Sequence, residues 1–530
     1  MSSPNAAVAE SHQRPVDRRN HFDSILQPSA ANAEPLECSA APDFFHDLNL
    51  DQIFQTITAG RDEYRLAAYF QAPAHDLDTI EYRQEVMRDL EHPASMQPVK
   101  AFAASMRDMR ERLDRAGKLH YRHEKSRWIL SAAAVYADGV AAFAEGLRSA
   151  APKSRGLLAF RAWLVDYVES APFVAFLADV RALELDLGAI RYALLIKGLS
   201  VTVRPFENEV DEAAAVESTF EKFKRSAARD YRAIFRSSVG MNHIEAQVLD
   251  RVALLNPQTF AALDAFCASH AGFADSLLTR FDREVQFYVA CREFVAGFEV
   301  QGLPFCYPQL SATTKEIDCR GAFDLALACK LVREKSEIVR NDFYLRGEER
   351  IFVVSGPNQG GKTTFARTFG QLHYLACLGC PVPGTQAKLF LFDQLFCHFE
   401  RAESIDNLHG KLQDDLVRIR KVLDRATPRS IVIMNEIFSS TSLHDAVDLG
   451  RKVMARISAL DLLCVCVTFL DELASFDVKT VSMVSTVDPD QPAVRTYKVE
   501  RRPANGLSFA VAIAQKYRLT YEQLKQRIAS

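Results

Sequence analysis

Fourteen residues, Ile351 to Thr364 (IFVVSGPNQGGKTT), limit what this chain can be more than any other stretch. Gly356, four intervening residues and then Gly361-Lys362-Thr363 fit the G-x-x-x-x-G-K-[ST] spacing. The apolar run Ile351 to Val354 supplies the buried strand this motif needs in front of it. The stretch therefore predicts a strand, a phosphate-binding loop and the first turn of a helix. Glycine at 356, 360 and 361 allows backbone conformations that a Cβ would obstruct, so successive amides can turn onto phosphate oxygens at a helix N-terminus. The expected phosphate-binding set is Gly356, Pro357, Asn358, Gln359, Gly360, Gly361, Lys362, Thr363 and Thr364. Lys362 offers a charge for the β- and γ-phosphates, and Thr363 a hydroxyl for Mg2+, a hard cation that takes oxygen ligands. A glycine-rich turn with an exposed lysine would share the letters but not the flanking strand and helix.

A chain of 530 residues exceeds what one hydrophobic core supports, so two or more domains are expected. Lys and Arg total 64 against 68 Asp and Glu, a net charge of −4, which excludes coating nucleic acid by bulk charge and leaves room only for a local basic face. The eleven cysteines lack the spacing of a disulfide scaffold, and residues 1 to 40 hold no apolar leader segment, so a reducing cytoplasm is expected. Cys377 and Cys380 form a lone C-x-x-C, better read as small apolar residues after a helix than as a metal or redox pair. No run of about 18 apolar residues occurs, so no membrane span is expected.

Residues 1–40, rich in Ala, Ser and Pro with few large apolar side chains, read as a disordered tail. From Phe44 to about residue 300, apolar residues recur at three- and four-residue spacing, which predicts a helical domain over 41–305. Two basic clusters lie within it: Lys222 to Arg236 on a helix expected at 215–237, and Arg107, Arg110, Arg112, Arg115, Lys118, Arg122, Lys125 and Arg127. Each can be read as a strip facing phosphates or as a solvated helix face. After the break QGLPFCYPQ, strands and helices alternate. The fold class expected is therefore multidomain α and α/β, with a largely parallel sheet over 306–530 and its ligand at the strands' carboxyl ends.

The apolar strand Ser430 to Met434 ends in Asn435-Glu436. A carboxylate at the tip of such a strand can orient an attacking water, which makes Glu436 the candidate catalytic residue. GPNQGGKTT, NEIFSSTSLHDA at 435–446, NDFYL at 341–345 and the ending ANGLSFAVAIAQKYRLTYEQLKQRI together resemble the MutS family of DNA mismatch repair ATPases. The matches include Asn358, Thr441-Ser442, Asp445, Gly506 and Ser508. The resemblance implies a P-loop, ABC-type ATPase domain over 306–530 that ends in a helix-turn-helix at about 506–529. It implies a core and lever domain over 41–305, ATP and Mg2+ as ligands, a homodimer, and mismatched or branched DNA as partner.

The departures from that pattern are specific. The acidic residue of the Mg2+ strand is Asn435, Phe469 stands where the family has a histidine, and Leu412 stands near the serine expected to reach the partner's ATP, with Lys411 or Gln413 beside it. The chain is too short for the family's mismatch-reading domain ahead of the helical core. Phe143-Ala-Glu145 has the letters of the mismatch wedge but sits in an alanine-rich helix, and it reads as coincidence. The resulting reading is a DNA-modulated ATPase, with two alternatives: a nucleotide-gated assembly switch with little hydrolysis, or a P-loop ATPase acting on a protein partner.

Overall fold

The computed structural model describes residues 22–28, 37, 38, 40–207, 240–400, 410–488, 490, 491 and 494–504, with Tyr521 and Lys525. The helix expected at 215–237 lies outside them, as do Gly506, Ser508 and, those last two residues excepted, the C-terminal helices. The described residues form two units.

The first unit holds Pro93–Pro152 and Ala159–Asp282, together with Phe22. Its helices Pro93–Lys118 and Arg122–Ala150 are joined by three residues and pack against each other as a helical hairpin. A cluster of phenylalanines fills its centre. Phe160 stacks on Phe281 with ring centroids 3.6 Å apart, and Phe143 stacks on Phe102 at 4.4 Å. Phe143 is therefore core, while Glu145 pairs with Arg148 on the surface, as the coincidence reading of Phe143-Ala-Glu145 requires. Helix Arg122–Ala150 is long and apolar enough to cross a membrane by length and composition, contrary to the expectation from apolar runs alone. Half of its apolar window is buried inside the protein, where Leu130, Tyr136, Val140 and Leu147 pack. A hairpin of β1 (Tyr192–Lys197) and β2 (Ser200–Pro205) turns at Gly198 and rests Val203 against a small core of Val252, Ala253 and Phe260 from helices His243–Leu255 and Pro257–Ser269.

The basic cluster at 107–127 proves to be internally paired at most of its positions. Arg110 bonds Asp282, Arg112 bonds Asp108, Arg122 bonds Asp264, Arg127 approaches Glu184, and Arg115 lies 4.1 Å over the Trp128 ring. These pairs favour the structural reading of the cluster. Three of the acids lie more than fifty residues further along the chain, so sequence spacing could not reveal them.

The second unit holds Asp23–His92, Lys153–Leu158 and the chain from Arg283 onward. Its strands are β3 (Phe305–Cys306), β4 (Gln309–Ser311), β5 (Ile317–Ala322), β6 (Asn341–Leu345), β7 (Ile351–Ser355), β8 (Val382–Pro383), β9 (Gln386–Phe390), β10 (Leu395–His398), β11 (Ile431–Asn435), β12 (Leu463–Val467), β13 (Thr480–Val487) and β14 (Arg495–Arg501). The main sheet has the order β10-β11-β12-β7-β13-β14, parallel except for β14. Its central strands β7 and β12 are apolar except for Ser355 and buried on both faces, as parallel strands covered by helices must be. Helices Lys362–Cys377, Lys411–Arg425 and Leu443–Leu460 belong to the same unit. The mixed helical and α/β class thus holds, with a largely parallel sheet.

A single cut near residue 305 does not describe this unit, because helical residues 44–92 and 283–299 belong to it. Aromatic packing is the reason. Phe45 lies edge-on to Tyr374 at 5.2 Å, Phe54 stacks on Phe70 at 5.0 Å, and Phe70 reaches Phe287 at 4.7 Å. Residues 22–28, inside the expected tail, are also packed. Tyr288 and Tyr82 hydroxyls donate to the carbonyls of Ile25 and Ser24 at 2.7 and 2.8 Å, Arg83 Nε donates to the Leu26 carbonyl at 2.9 Å, and the buried Glu284 carboxylate accepts from Ser24 Oγ and Ile25 N. Ile25 and Leu26 thereby bury their side chains with their backbone polar groups satisfied.

Candidate functional site

Because β7, β11 and β12 run parallel, their carboxyl ends deliver three loops to one edge of the sheet. After β7 comes the glycine loop, after β11 come Asn435 and Glu436, and after β12 come Thr468 and Phe469.

The loop from Gly356 to Gly361 ends at the start of helix Lys362–Cys377. Gly356 has φ +116°, and a Cβ there would lie 2.8 Å from the Ser485 carbonyl oxygen of β13, so both backbone conformation and space demand glycine. Gly361, at φ +97°, turns the chain into the helix. Ser485 Oγ donates to the Gly360 carbonyl at 2.6 Å and ties the loop to β13. Gln359 takes a left-handed conformation at φ +58° and is exposed, Asn358 is exposed, Pro357 is buried, and Thr364 is half-buried.

Lys362 is buried, and its Nζ donates to the carbonyls of Gly356 and Pro357 at 2.9 and 3.2 Å and to Asn358 Oδ1 at 3.4 Å. Burial lowers its pKa below the usual lysine value; Glu436 opposes the shift and Arg495 adds to it. The Phe469 ring, half exposed, lies 4.4 Å from the same ammonium. Thr363 Oγ1 donates to Asn435 Oδ1 at 2.9 Å, joining the helix start to the tip of β11.

Glu436 is held in a left-handed conformation at φ +56°, with its amide donating to the Val467 carbonyl at 2.8 Å. A non-glycine residue held there signals local strain, which tends to gather at functional positions. Burial raises its carboxyl pKa, Lys362 works against this, and Glu400 adds to it. Glu400 accepts from Ser439 Oγ at 3.3 Å and pairs with Lys411. Leu412 packs into the apolar cluster under the sheet. Ser442 caps helix Leu443–Leu460 by accepting from the Asp445 amide at 3.2 Å, and its hydroxyl donates to the Asp445 carboxylate at 2.7 Å.

The structure thus brings Lys362, Thr363, Asn435 and Glu436 to one edge. It adds three residues that sequence spacing did not single out for this place: Ser485, Glu400 and Arg495, whose Nε donates to the Asn358 carbonyl at 3.2 Å. No local signal marks them, because strand pairing carries them in from more than 30 residues away. Among the described residues no group of three or more His, Cys, Asp or Glu side chains forms a metal site, and all eleven cysteines are free, Cys377 and Cys380 being buried.

Comparison with known proteins adds a family. Residues 352–526 match the model of MutS domain V. The DNA mismatch repair protein MutS of Orientia tsutsugamushi (strain Ikeda) is 29% identical over 192 residues, 35% of this chain and 22% of that protein. The protein of the same name from Brevibacillus brevis is 32% identical over 127 residues, 24% of this chain and 15% of that one, and that of Rickettsia bellii (strain OSU 85-389) is 28% identical over 148 residues, 28% and 17%. The chain therefore spans about a fifth of the length of the relatives it matches. Residues 352–526 thus match MutS domain V, and it is over this stretch that the chain is similar to the MutS proteins.

Proposed function

We propose that the chain binds and hydrolyses ATP with Mg2+ at the edge formed by β7, β11 and β12, and uses that cycle to change the state of a dimer on mismatched or branched DNA. The observation that carries the nucleotide reading is the join of Thr363 Oγ1 to Asn435 Oδ1 at 2.9 Å, with the buried Lys362 on one side and Glu436 on the other. Thr363 Oγ1 and Asn435 Oδ1 would be the two side-chain oxygens to hold Mg2+, a hard cation that takes oxygen ligands. Both donors are neutral, which suits an ion whose remaining ligands are phosphate oxygens and water. The ion supplies charge neutralisation at the β- and γ-phosphates.

The chain's own residues do the rest. Loop amides bind phosphate oxygens, and Lys362 exchanges its three loop acceptors for phosphate. Glu436 orients the attacking water, and its raised pKa makes it a better proton acceptor than an exposed carboxylate. Replacing Glu436 by Gln should lower turnover by roughly 10²- to 10⁴-fold while ATP still binds. Turnover that persists in that variant would remove Glu436 from the mechanism.

DNA as partner is supported by the domain V match and by the printed name of the relatives. ATP turnover measured with duplex, mismatched and branched DNA at two salt concentrations tests it, since phosphate contacts weaken with salt. A second reading, an assembly switch with little hydrolysis, is favoured by the neutral Asn435 and by Phe469 over Lys362.

A further inference from the structure

We propose that Arg495 of β14 is a phosphate-binding residue of this same site, a second cation supplied by the antiparallel edge strand to the polyphosphate of a nucleotide. The inference rests on the nucleotide reading above and assigns the site a residue outside the glycine loop and the β11 tip.

Three observations on β14 carry it. Arg495 Nε donates to the Asn358 carbonyl at 3.2 Å, so the root of the guanidinium is fixed at the rim of the loop whose other members hold Lys362. The strand around it is pinned against the loop. Tyr497 is held at φ +58°, its carbonyl lies 3.4 Å from where a Gly361 Cβ would stand, and that carbonyl accepts from Asn341 Nδ2 at 3.4 Å. Two residues on, the Val499 amide donates to Asn341 Oδ1 at 2.8 Å, while Thr496 Oγ1 donates to the Thr486 carbonyl at 2.9 Å across the hairpin. These bonds fix the strand from Thr496 to Val499, directly after Arg495, and so hold the base of the arginine beside the loop.

The electrostatics point the same way. Arg495 and Lys362 both bond Asn358, the first at its carbonyl and the second at its side chain, so one polyanion can meet both cations. Asn435 contributes no formal negative charge to the metal's side of the site. A second cation on the phosphates' side therefore makes nucleotide binding less dependent on the divalent ion. Arginine's planar fork suits phosphate oxygens, and its charge survives at any working pH.

The test uses the full chain and two probes, ATP and inorganic triphosphate, titrated calorimetrically in Mg2+ and in EDTA. Arg495→Gln should weaken both probes by about tenfold or more, since a charged hydrogen bond is worth about 1.4 kcal/mol or more, and the loss should be larger in EDTA. Arg495→Lys, which keeps the charge, should recover part of the loss. Unchanged affinity of Arg495→Gln for both probes overturns the proposal while leaving the nucleotide reading intact. Weakening for ATP alone also overturns it, because a residue acting on phosphate must affect triphosphate. If Arg495→Gln melts earlier than wild type, Arg495→Lys decides: recovery of affinity for both probes in a stably folded Lys variant supports the proposal, and no recovery in such a variant overturns it. Wild-type protein that binds neither probe, behaving like Lys362→Ala, brings down the nucleotide reading itself.

Discussion

Replacing Asn435 by Asp would place a formal charge at one of the two oxygens proposed to share Mg2+, with the other, Thr363 Oγ1, 2.9 Å away. Unit charges about 4 Å apart at an effective dielectric near 20 interact by about 4 kcal/mol, and a divalent ion doubles the attraction. Two costs oppose it. The new carboxylate must leave water, and it would adjoin Glu436, whose carboxyl pKa burial has already raised and which feels Glu400 as well. One like-charge neighbour at similar distance returns about 4 kcal/mol of the gain, and desolvation removes more, so a net gain of about 1.4 to 3 kcal/mol is expected. The half-saturating Mg2+ concentration for ATP turnover should fall by about ten- to a hundredfold in Asn435→Asp. In the absence of Mg2+ the variant should melt earlier than wild type, because its carboxylates then repel one another uncompensated. The assay is a Mg2+ titration of turnover at saturating ATP, paired with melting curves in EDTA. An unchanged Mg2+ requirement would refute the placement of the ion between Thr363 and Asn435.

Two further outcomes concern stability. Burial alone would raise the Asp461 pKa, but bonds from Lys479 and Lys315 and the nearby charges of Lys315 and Arg350 hold it down at about 2. Its folded value lies below the unfolded value of about 3.9, so its contribution is fully present above the unfolded pKa and is lost as pH falls toward about 2. The stability gap between wild type and Asp461→Asn should be constant above about pH 5 and should close in acid denaturation curves near pH 2. Phe281→Ala removes a ring with no exposed surface from the stack with Phe160, and should cost about 3 to 5 kcal/mol in urea unfolding. A cost under about 1 kcal/mol would mean that the cluster collapses to fill the space.

The glycine loop, the strand before it and the acidic tip of β11 were legible because their chemistry is local: spacing, periodicity and residue type within a dozen positions define them. Phe143-Ala-Glu145 was legible as a coincidence because its alanine-rich surroundings read as a helix, and the structure buries the ring. The packing of residues 22–28 was not. Ile25 and Leu26 stand among polar residues, and what buries them are hydroxyl and guanidinium donors contributed by Tyr82, Arg83 and Tyr288. The paired state of Arg110, Arg122 and Arg127 was hidden in the same way, behind acids at Asp282, Asp264 and Glu184. The domain limits followed suit. Aromatic contacts from Phe45 and Phe54 to Tyr374, with Phe70 stacked on Phe54, join helices that composition alone assigns to another domain. Arg495 reaches the loop only because β14 turns back along β13, and no spacing rule relates residue 495 to residue 358.

Lys362, satisfied by its own loop, gives the site an internal competitor. Any anion that recruits this ammonium must replace three oxygen acceptors already within 3.4 Å. The affinity of a ligand is then what remains after that exchange.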